Sequence, residues 1–396
     1  MFIMYQSWRW YGPSDPVTLD YARQSGATDI VTALHECYDG QVWTLEDIYA
    51  RQKEIQQAGL VWSVVESIPV PTEIKLFGAG ATAHVAAFKS TMKNLAEAGL
   101  EVICYNFMPV VDWTRTDLRF SAPNGGLALR FDPIDFATYD MFILNRPNAD
   151  SSYSTDVISL AEVRFKELNV QDIKVLEQNI IAGLPGSEGS HTREGISKCI
   201  AKFYGFSNTD LRRNLISFLG EIIPLADELG LRMGLHPDDP PFSLFGLPRV
   251  LSTAKDYRTI FEAFPSLANG ITFCTGSLGA SEDNDLLSII KEFSPRIQFA
   301  HLRNVQREKG GGFYEADHLE GSTNMIEIVK LLIEEESRRR DEGRIDWQFP
   351  MRPDHGHLLL DDILKETNAG YSAIGRLKGL AELRGVIKTF EHVFEA

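Results

Sequence analysis

Apolar runs with the length of buried strands alternate along the chain with segments of helical period. The predicted strands cover residues 2–10, 29–34, 60–67, 101–107, 232–236, 271–275, 297–303 and 345–351. Strands that alternate with helices pair in parallel, and eight of them can close into a barrel that leaves no edge exposed. The pattern therefore predicts an α/β fold, a (β/α)8 TIM barrel, with residues 1–396 forming a single domain.

Helix end signals support the alternation. In residues 86–98 the apolar side chains recur at spacings of three and four, and Gly99 follows as a stop signal. A second helix begins after the capping residues at 208–210 and ends near Gly230. Pro224 lies in its middle and is expected to kink or split it, because proline removes one ladder hydrogen bond.

A third helix is predicted over residues 325–340. Its buried face is expected to contain Ile326, Val329, Leu332 and Ile333. The helix ends in the charged run Glu-Glu-Glu-Ser-Arg-Arg-Arg at 334–340, which is expected to be a solvated face.

Residues 113–209 interrupt the regular alternation between the fourth and fifth strands. Loop signals occur at 125–126, 148–155 and 183–191, whereas 159–168 and 170–180 have helical character. The segment is too long for a plain loop and too polar for a full domain. We expect a long, mostly helical insertion over the barrel mouth that acts as a lid or an oligomer contact.

Composition and charge narrow the class of protein. The net charge of −16 and a pI near 5.1 argue against nucleic-acid or anionic-membrane partners. The N-terminus has no secretory pattern and no apolar run approaches a spanning helix, which favours a cytoplasmic protein. The four cysteines are widely spaced and predict no disulfide framework; Cys104 and Cys199 are expected to be buried core residues, and Cys37 is undecided.

Four polar residues lie at the ends of the last four predicted strands, each at the same point of its unit. They are His236, Cys274, His301 and Asp354. Because parallel strands end at one rim of a barrel, these side chains are expected to meet there and bind a metal. One thiolate, two imidazoles and one carboxylate are too soft for Mg²⁺ or Ca²⁺ and leave Mn²⁺, Fe²⁺, Co²⁺ or Zn²⁺. A catalytic site favours Mn²⁺ or Fe²⁺, which keep positions free for substrate.

Groups suited to acid–base chemistry surround these ligands. His355 and His357 follow Asp354, and Tyr371 lies in the turn beyond; a Glu315–His318 pair follows the seventh strand.

Nearby cations and carboxylates have candidate roles as well. Arg303 and Arg352 are candidates to bind an anionic substrate group, although strand alternation could also turn them away. Asp238 and Asp239 are alternative partners that would orient the ligand histidines.

The chain resembles the mannonate dehydratase family nearly end to end. The motifs that carry the resemblance include Arg9-Trp-Tyr-Gly-Pro, Val65-Glu-Ser-Ile-Pro, Cys104-Tyr-Asn-Phe-Met-Pro, His236-Pro-Asp-Asp-Pro-Pro, Cys274-Thr-Gly-Ser-Leu-Gly, His301-Leu-Arg-Asn-Val and Arg352-Pro-Asp-His-Gly-His. The chain departs from the family pattern at Tyr314, where a histidine is common, and at 71–73. Neither departure touches a predicted ligand.

The resemblance implies a hydro-lyase of hexuronate breakdown that turns D-mannonate into 2-dehydro-3-deoxy-D-gluconate and water. It implies Mn²⁺ or Fe²⁺ at the four ligands, proton transfer by His355 and Tyr371, and a homo-oligomer, dimeric or higher. Within the matching motifs, Asn304 and Trp10 join Arg303 and Arg352 as candidate substrate-binding residues.

Two other functions remain open from the sequence. A metal-dependent sugar isomerase or epimerase on the same barrel would also move a proton beside an oxygenated carbon, but a cysteine ligand disfavours it. A sugar-acid binding protein that has lost turnover would bind mannonate and form no product.

Overall fold

A computed structural model describes residues 4–182 and 192–395, and the loop predicted at 183–191 lies outside them. The strands are β1 Tyr5–Arg9, β2 Asp29–Thr32, β3 Val61–Glu66, β4 Val102–Tyr105, β5 Asp117–Ser121, β6 Leu127–Phe131, β7 Arg232–Leu235, β8 Asn269–Cys274, β9 Ile297–His301, β10 Val305–Arg307, β11 Phe313–Glu315 and β12 Pro350–Arg352. Eight of them form a closed parallel barrel in the order β1-β12-β9-β8-β7-β4-β3-β2. The predicted TIM barrel is confirmed.

The last predicted strand is much shorter than expected. Residues 345–349 are not part of the strand, and Ile345 is 99% exposed. The other seven predicted strands overlap observed ones and differ by a few residues at their ends. The prediction extended the strand to residue 345 because Ile345 and Phe349 are apolar, but of these two only Phe349 is buried.

The helices surround the barrel and connect its strands. Their bounds are α1 Leu19–Gln24, α2 Leu45–Gln57, α3 Thr72–Leu76, α4 Ala81–Glu97, α5 Pro133–Thr138, α6 Thr155–Glu167, α7 Val170–Ile181, α8 Arg193–Ala201, α9 Asn208–Leu229, α10 Ala254–Ala263, α11 Thr275–Gly279, α12 Leu286–Phe293, α13 Met325–Asp341 and α14 Ala373–Glu395. Short 3-10 turns cover Ala149–Ser152, Ser294–Arg296 and Leu360–Leu364, and a π-helical turn covers Tyr139–Ile143. Within the described ranges, no helix has both the length and the apolar character to cross a membrane.

Helix α9 is one continuous helix with Pro224 inside it, so the predicted split is not observed. Its start is held by a capping box, in which Ser207 and Asp210 each accept from the other's backbone amide. The apolar side of the helix, which includes Leu215, Phe218 and Ile222, is fully buried. This packing offsets the hydrogen bond that proline removes.

The charged run in α13 is only partly a solvated face: Glu334 and Arg340 are exposed, but other members of the run are not. Glu335, Glu336 and Arg339 are buried. Arg339 donates to the carbonyl oxygen of Ile297 at 2.8 Å, at the start of β9. One residue of the predicted buried face was misplaced, since Ile326 is 49% exposed. Val329, Leu332 and Ile333 are buried as predicted.

The segment 113–209 contains a β-hairpin that the sequence did not predict. Strands β5 and β6 pair with each other, and β6 continues through β11 to β10 to form a separate four-stranded antiparallel sheet. Tyr314, the departure from the family pattern, packs in this sheet with its ring 5.2 Å from that of Phe120. Helices α5 to α8 follow the hairpin, so the insertion is helical only beyond residue 132.

The barrel interior contains a small apolar cluster below the rim. Its members are Val31, Val64, Val102, Cys104 and Phe299. Cys104 is fully buried, as predicted, while Cys37 and Cys199 are only half-buried.

Candidate metal centre and active site

The four predicted metal ligands lie together at the carboxyl ends of neighbouring strands. His236 follows β7, Cys274 ends β8, His301 ends β9 and Asp354 follows β12. Register pairing places Cys274 opposite His301. Ligand atoms of His236, Cys274 and His301 lie within 4.8 Å of one another, and Asp354 Oδ2 is 3.8 Å from Cys274 Sγ. The strand ends thus converge as the sequence predicts.

The two histidines present nitrogen lone pairs to the same space. His236 Nδ1 donates to the carbonyl oxygen of Pro237 at 2.7 Å, and its Nε2 is 3.2 Å from His301 Nδ1. Two nitrogen ligands at about 2.1 Å from one ion are roughly 3.0–3.4 Å apart. Burial lowers the pKa of His236 and favours the neutral ring that a metal requires. The histidine pair fits a metal ion.

Neighbouring groups hold the side chains of Cys274 and Asp354 in place. Cys274 Sγ accepts from the backbone amide and hydroxyl of Ser277, at 3.4 and 3.1 Å, in the first turn of α11. Burial alone would raise the pKa of the Asp354 carboxyl, but Arg352 and its other charged neighbours hold the pKa well below its usual value. Asp354 is therefore a carboxylate, the form that binds cations.

A network of buried ion pairs surrounds the ligands. Its members are Arg9, Arg115, Arg303, Arg352, Glu66, Asp239, Glu315 and Asp354. Arg303 bridges Asp239 at 2.6 Å and Asp354 at 3.3 Å. Arg115, which comes from the insertion, bridges Asp239 at 2.9 Å and Glu315 at 3.1 Å. Four guanidinium groups and four carboxylates balance one another, which is what burial of charge demands.

His355 is oriented by a carboxylate and by two aromatic rings. Its Nδ1 donates to Glu315 Oε1 at 2.7 Å. The rings of Trp113 and Tyr371 meet it edge-on, with centroids at 5.9 and 4.9 Å. Its Nε2 is 3.8 Å from Asp354 Oδ1 and so points towards the ligand cluster. Burial raises the pKa of Tyr371, which keeps the phenol protonated.

Both arginines that were predicted to bind substrate are turned into the site. Arg303 and Arg352 are each 2% exposed. Each already contacts two or more carboxylates. Arg303 contacts Asp239, Glu315 and Asp354, and Arg352 contacts Glu66 at 2.9 Å and Asp354 at 2.5 Å. A substrate carboxylate would have to share these guanidinium groups with the protein's own acids.

Asn304 and Trp10 are not brought to the ligand cluster by any observed contact. The Asn304 amide bonds only backbone groups, with Nδ2 donating to the carbonyl oxygens of His318 and Thr323. It ties down the loop after β9. The Trp10 ring lies 5.4 Å from the guanidinium carbon of Arg51, which belongs to α2, the helix after β2. Their assignment to substrate binding stays a prediction.

Asp238 and Asp239 contact neither ligand histidine. Asp238 accepts from the backbone amide of Leu251 at 2.8 Å and from Ser252 Oγ at 2.8 Å, which fixes the loop after β7. Asp239 instead pairs with Arg303 of the ion-pair network. The partner that orients His236 is the Pro237 carbonyl, which no side-chain pattern could have indicated.

The two remaining histidines that the sequence singled out, His318 and His357, hold loops in place. His357 Nε2 donates to the carbonyl oxygen of Glu315 at 2.7 Å, and His318 Nε2 donates to that of Pro353 at 2.8 Å. Burial lowers the pKa of His318 to about 4, so it is neutral. Glu315 bonds His355 and not the predicted His318 partner.

Sequence reasoning assigned no role to Glu66, Arg9, Arg115 and His35, all of which line the site. Arg9 donates to Glu66 and lies 3.3 Å from His35 Nε2. Arg9 and Glu66 end β1 and β3, so the strand-end signal that found the ligands could have found them too. Arg115 precedes β5 in the insertion, and no local pattern points to its partners.

The closed parallel barrel defines the TIM-barrel class. A cysteine, two histidines and an aspartate cluster at its rim beside a histidine that a carboxylate orients, which is typical of an enzyme active site. The family model for D-mannonate dehydratase (UxuA) matches residues 4–396, and the chain belongs to this family. It is a hydro-lyase.

Similar proteins agree with the family match. The chain is 53% identical over 388 residues to mannonate dehydratase 2 of Agrobacterium fabrum, covering 98% of both chains. It is 51% identical over 389 residues to mannonate dehydratase of Saccharophagus degradans, again covering 98% of both. A crystal structure of mannonate dehydratase from Streptococcus suis serotype 2 superposes with a TM-score of 0.75 at 31% identity, covering 98% of this chain and 95% of the other.

Proposed function

We propose that this enzyme dehydrates D-mannonate to 2-dehydro-3-deoxy-D-gluconate and water in hexuronate breakdown, with Mn²⁺ or Fe²⁺ as its metal. The observation that carries the proposal is the convergence of His236, Cys274, His301 and Asp354 beside the His355–Glu315 pair. The relatives named above act, by their names, on mannonate.

The four ligands fit a mixed-donor divalent metal better than a hard oxygen-bound one. His236 is neutral, Asp354 is ionised, and the facing nitrogens of His236 and His301 stand 3.2 Å apart. When bound, such a metal would polarise the substrate oxygens and stabilise the enolate-like charge that develops on deprotonation.

The protein groups divide the proton transfers between them. The Nδ1–H of His355 donates a hydrogen bond to Glu315, which leaves the lone pair on Nε2 free. His355 Nε2 therefore acts as the base that takes the C2 proton. Tyr371 keeps its phenolic proton and donates it to the departing C3 hydroxyl, which leaves as water. The resulting enol then gains a proton at C3 and loses the proton of its C2 hydroxyl, which gives the 2-keto-3-deoxy acid.

The charge of the site matches a monoanionic substrate. Four arginines balance four carboxylates in the surrounding network. A divalent metal and the Cys274 thiolate add one net positive charge, which one substrate carboxylate would offset. A neutral sugar would leave that charge uncompensated in a buried site.

Groups without a protein partner are available to bind the polyol chain. Within the described residues, the buried Arg9 Nε and His35 Nδ1 make no hydrogen bond. Both lie on the β1–β2 side of the site, away from the Arg303 side. We assign them to substrate hydroxyls, together with the predicted contacts of Arg303 and Arg352.

The remaining features stay predictions. We expect the insertion at 113–209 to cover the mouth, because Trp113 packs on His355 and Arg115 enters the ion-pair network. The homo-oligomer and the cytoplasmic location also rest on the sequence and the family resemblance.

The test is a product assay on purified enzyme with Mn²⁺ or Fe²⁺ and D-mannonate. One 2-keto-3-deoxy acid per mannonate consumed supports dehydration. A mass-neutral isomer would instead indicate an isomerase or epimerase. Binding of mannonate with no product under any divalent metal would indicate a binding protein. Either result would refute the proposal.

A further inference from the structure

Glu66, the last residue of β3, lies against one of the four predicted metal ligands, His301, and is linked to a second, Asp354, through Arg352. Its Oε2 faces His301 Nε2 at 3.6 Å. Its Oε1 accepts from Arg352 Nη2 at 2.9 Å, and Arg352 Nη1 contacts Asp354 Oδ1 at 2.5 Å. We propose that Glu66 is a positioning residue that fixes the tautomer of His301 and the orientation of Asp354 for metal binding, an inference that rests on the metal site of the proposed function.

The two nitrogens of His301 face different groups, so the position of its single proton decides whether it can bind a metal. Its Nδ1 faces His236 Nε2 at 3.2 Å, and its Nε2 faces Glu66. A proton on Nε2 points at the carboxylate and leaves the Nδ1 lone pair for a metal. The opposite tautomer sets an Nε2 lone pair against a negative oxygen, which is unfavourable.

The arrangement repeats on His236 with a different acceptor. There the Pro237 carbonyl accepts the Nδ1 proton at 2.7 Å and leaves Nε2 free. Each histidine thus has one nitrogen that faces a protein acceptor and another that is directed into the shared space. Within the described residues, His301 Nε2 makes no hydrogen bond, and Glu66 is the carboxylate placed to receive its proton when the two close by a few tenths of an ångström.

A second metal position is the competing explanation for this cluster. Ligand atoms of Glu66, Cys104 and His301 also lie within 4.8 Å of one another. However, Arg9 and Arg352 already pair with Glu66, so a cation placed there would face two guanidinium groups. Cys104 belongs to the apolar cluster inside the barrel. The charges therefore favour a positioning carboxylate over a second ion.

The experiment titrates the metal-free Glu66→Gln variant with two metals. Electron paramagnetic resonance of the free ion measures Mn²⁺ binding, and visible absorption measures Co²⁺ binding. We expect one equivalent to bind about 10- to 100-fold more weakly than in the wild type, with an altered Co²⁺ spectrum. Glu66→Asp keeps the charge and should recover part of the affinity. The matched control is Glu335→Gln, a buried glutamate paired with Arg339 far along α13, which should leave affinity and spectrum unchanged.

The outcomes separate the hypotheses. Unchanged Mn²⁺ affinity and Co²⁺ spectrum in both Glu66 variants would overturn the inference, as would loss of affinity matched by Glu335→Gln. Two equivalents in the wild type, with the same one lost in Glu66→Gln and in Cys104→Ser, would establish the second metal position instead. A wild type that binds no divalent metal would refute the metal site of the proposed function and this inference with it.

Discussion

Replacing Glu336 by glutamine should stabilise the protein at neutral pH. Glu336 lies on α13 and is 1% exposed. Its Oε1 accepts from the backbone amides of Phe349 and Met4 at 3.0 and 3.2 Å, and its Oε2 also accepts from the Met4 amide, at 2.9 Å. These amides flank the seam at which β1 pairs with β12 and closes the barrel. Burial raises the pKa of the carboxyl from 4.5 to about 8, although the backbone hydrogen bonds oppose the shift.

The sign and size follow from proton linkage. Below its ordinary pKa the carboxyl is neutral in both states and has no effect. As the pH rises from 4.5 to about 8, the unfolded chain loses the proton and the folded protein keeps it. Stability therefore falls by about 1.4 kcal/mol per pH unit, or roughly 3 kcal/mol by pH 7. Glutamine retains the Oε1 acceptor for both amides and has no proton to lose. Its amide nitrogen replaces Oε2, so the Met4 amide keeps only its longer hydrogen bond to Oε1, which offsets part of the gain.

Melting temperatures of metal-free wild type and Glu336→Gln, scanned at one rate from pH 5 to pH 8, measure the effect. For 396 residues the unfolding entropy is about 0.8 kcal/mol/K, so a change of about 4 kcal/mol should widen the difference in Tm by about 5 °C. Glu335→Gln is the control. Arg338 and Arg339 outweigh burial and hold the pKa of Glu335 below its usual value, so its Tm difference should not vary in this window. A constant Tm difference for Glu336→Gln would refute the reasoning.

Four further outcomes are expected. Arg115→Met removes a buried cation from two carboxylates and should cost about 3–5 kcal/mol in denaturant unfolding; no loss would contradict the network. His355→Gln and Tyr371→Phe should each lower kcat by about 100-fold or more with metal content unchanged, in steady-state assays with metal analysis. Cys274→Ser and Asp354→Asn should lower both metal content and activity, and full occupancy in both would contradict the ligand assignment. Chelation should abolish activity and lower the Tm, because a ligand of the folded state stabilises it; an unchanged Tm would argue against a bound metal.

The barrel and its ligands could be predicted because their signals are local. Each barrel strand is a short apolar run, and parallel strands bring their carboxyl ends to one rim whatever their exact bounds. For this reason His236, Cys274 and His301 were found even though the bounds of their strands were off by one or two residues. The short β12 was misjudged because Ile345 is apolar but exposed.

The small antiparallel sheet and the ion-pair network had no local signal. Strand β6 pairs with β11, which lies far along the chain, and Arg115 reaches Glu315 across 200 residues. The burial of Glu336 and its neighbours was missed for a related reason. A charge run indicates a solvated face only while no partner from another element covers it, and Arg339 finds carbonyl partners on the start of β9.

The network explains why residues from the insertion and the barrel must act together. Asp239, from the loop after β7, is shared by Arg115 of the insertion and Arg303 after β9. Burial alone would raise the pKa of Asp239, but these two arginines hold the pKa far below its usual value. Removing Arg115 would leave the buried Asp239 carboxylate with less positive charge beside it and is expected to draw Arg303 towards it. Because Arg303 also contacts Asp354, such a movement would disturb a predicted metal ligand. The insertion is therefore linked to the predicted metal centre through charge balance.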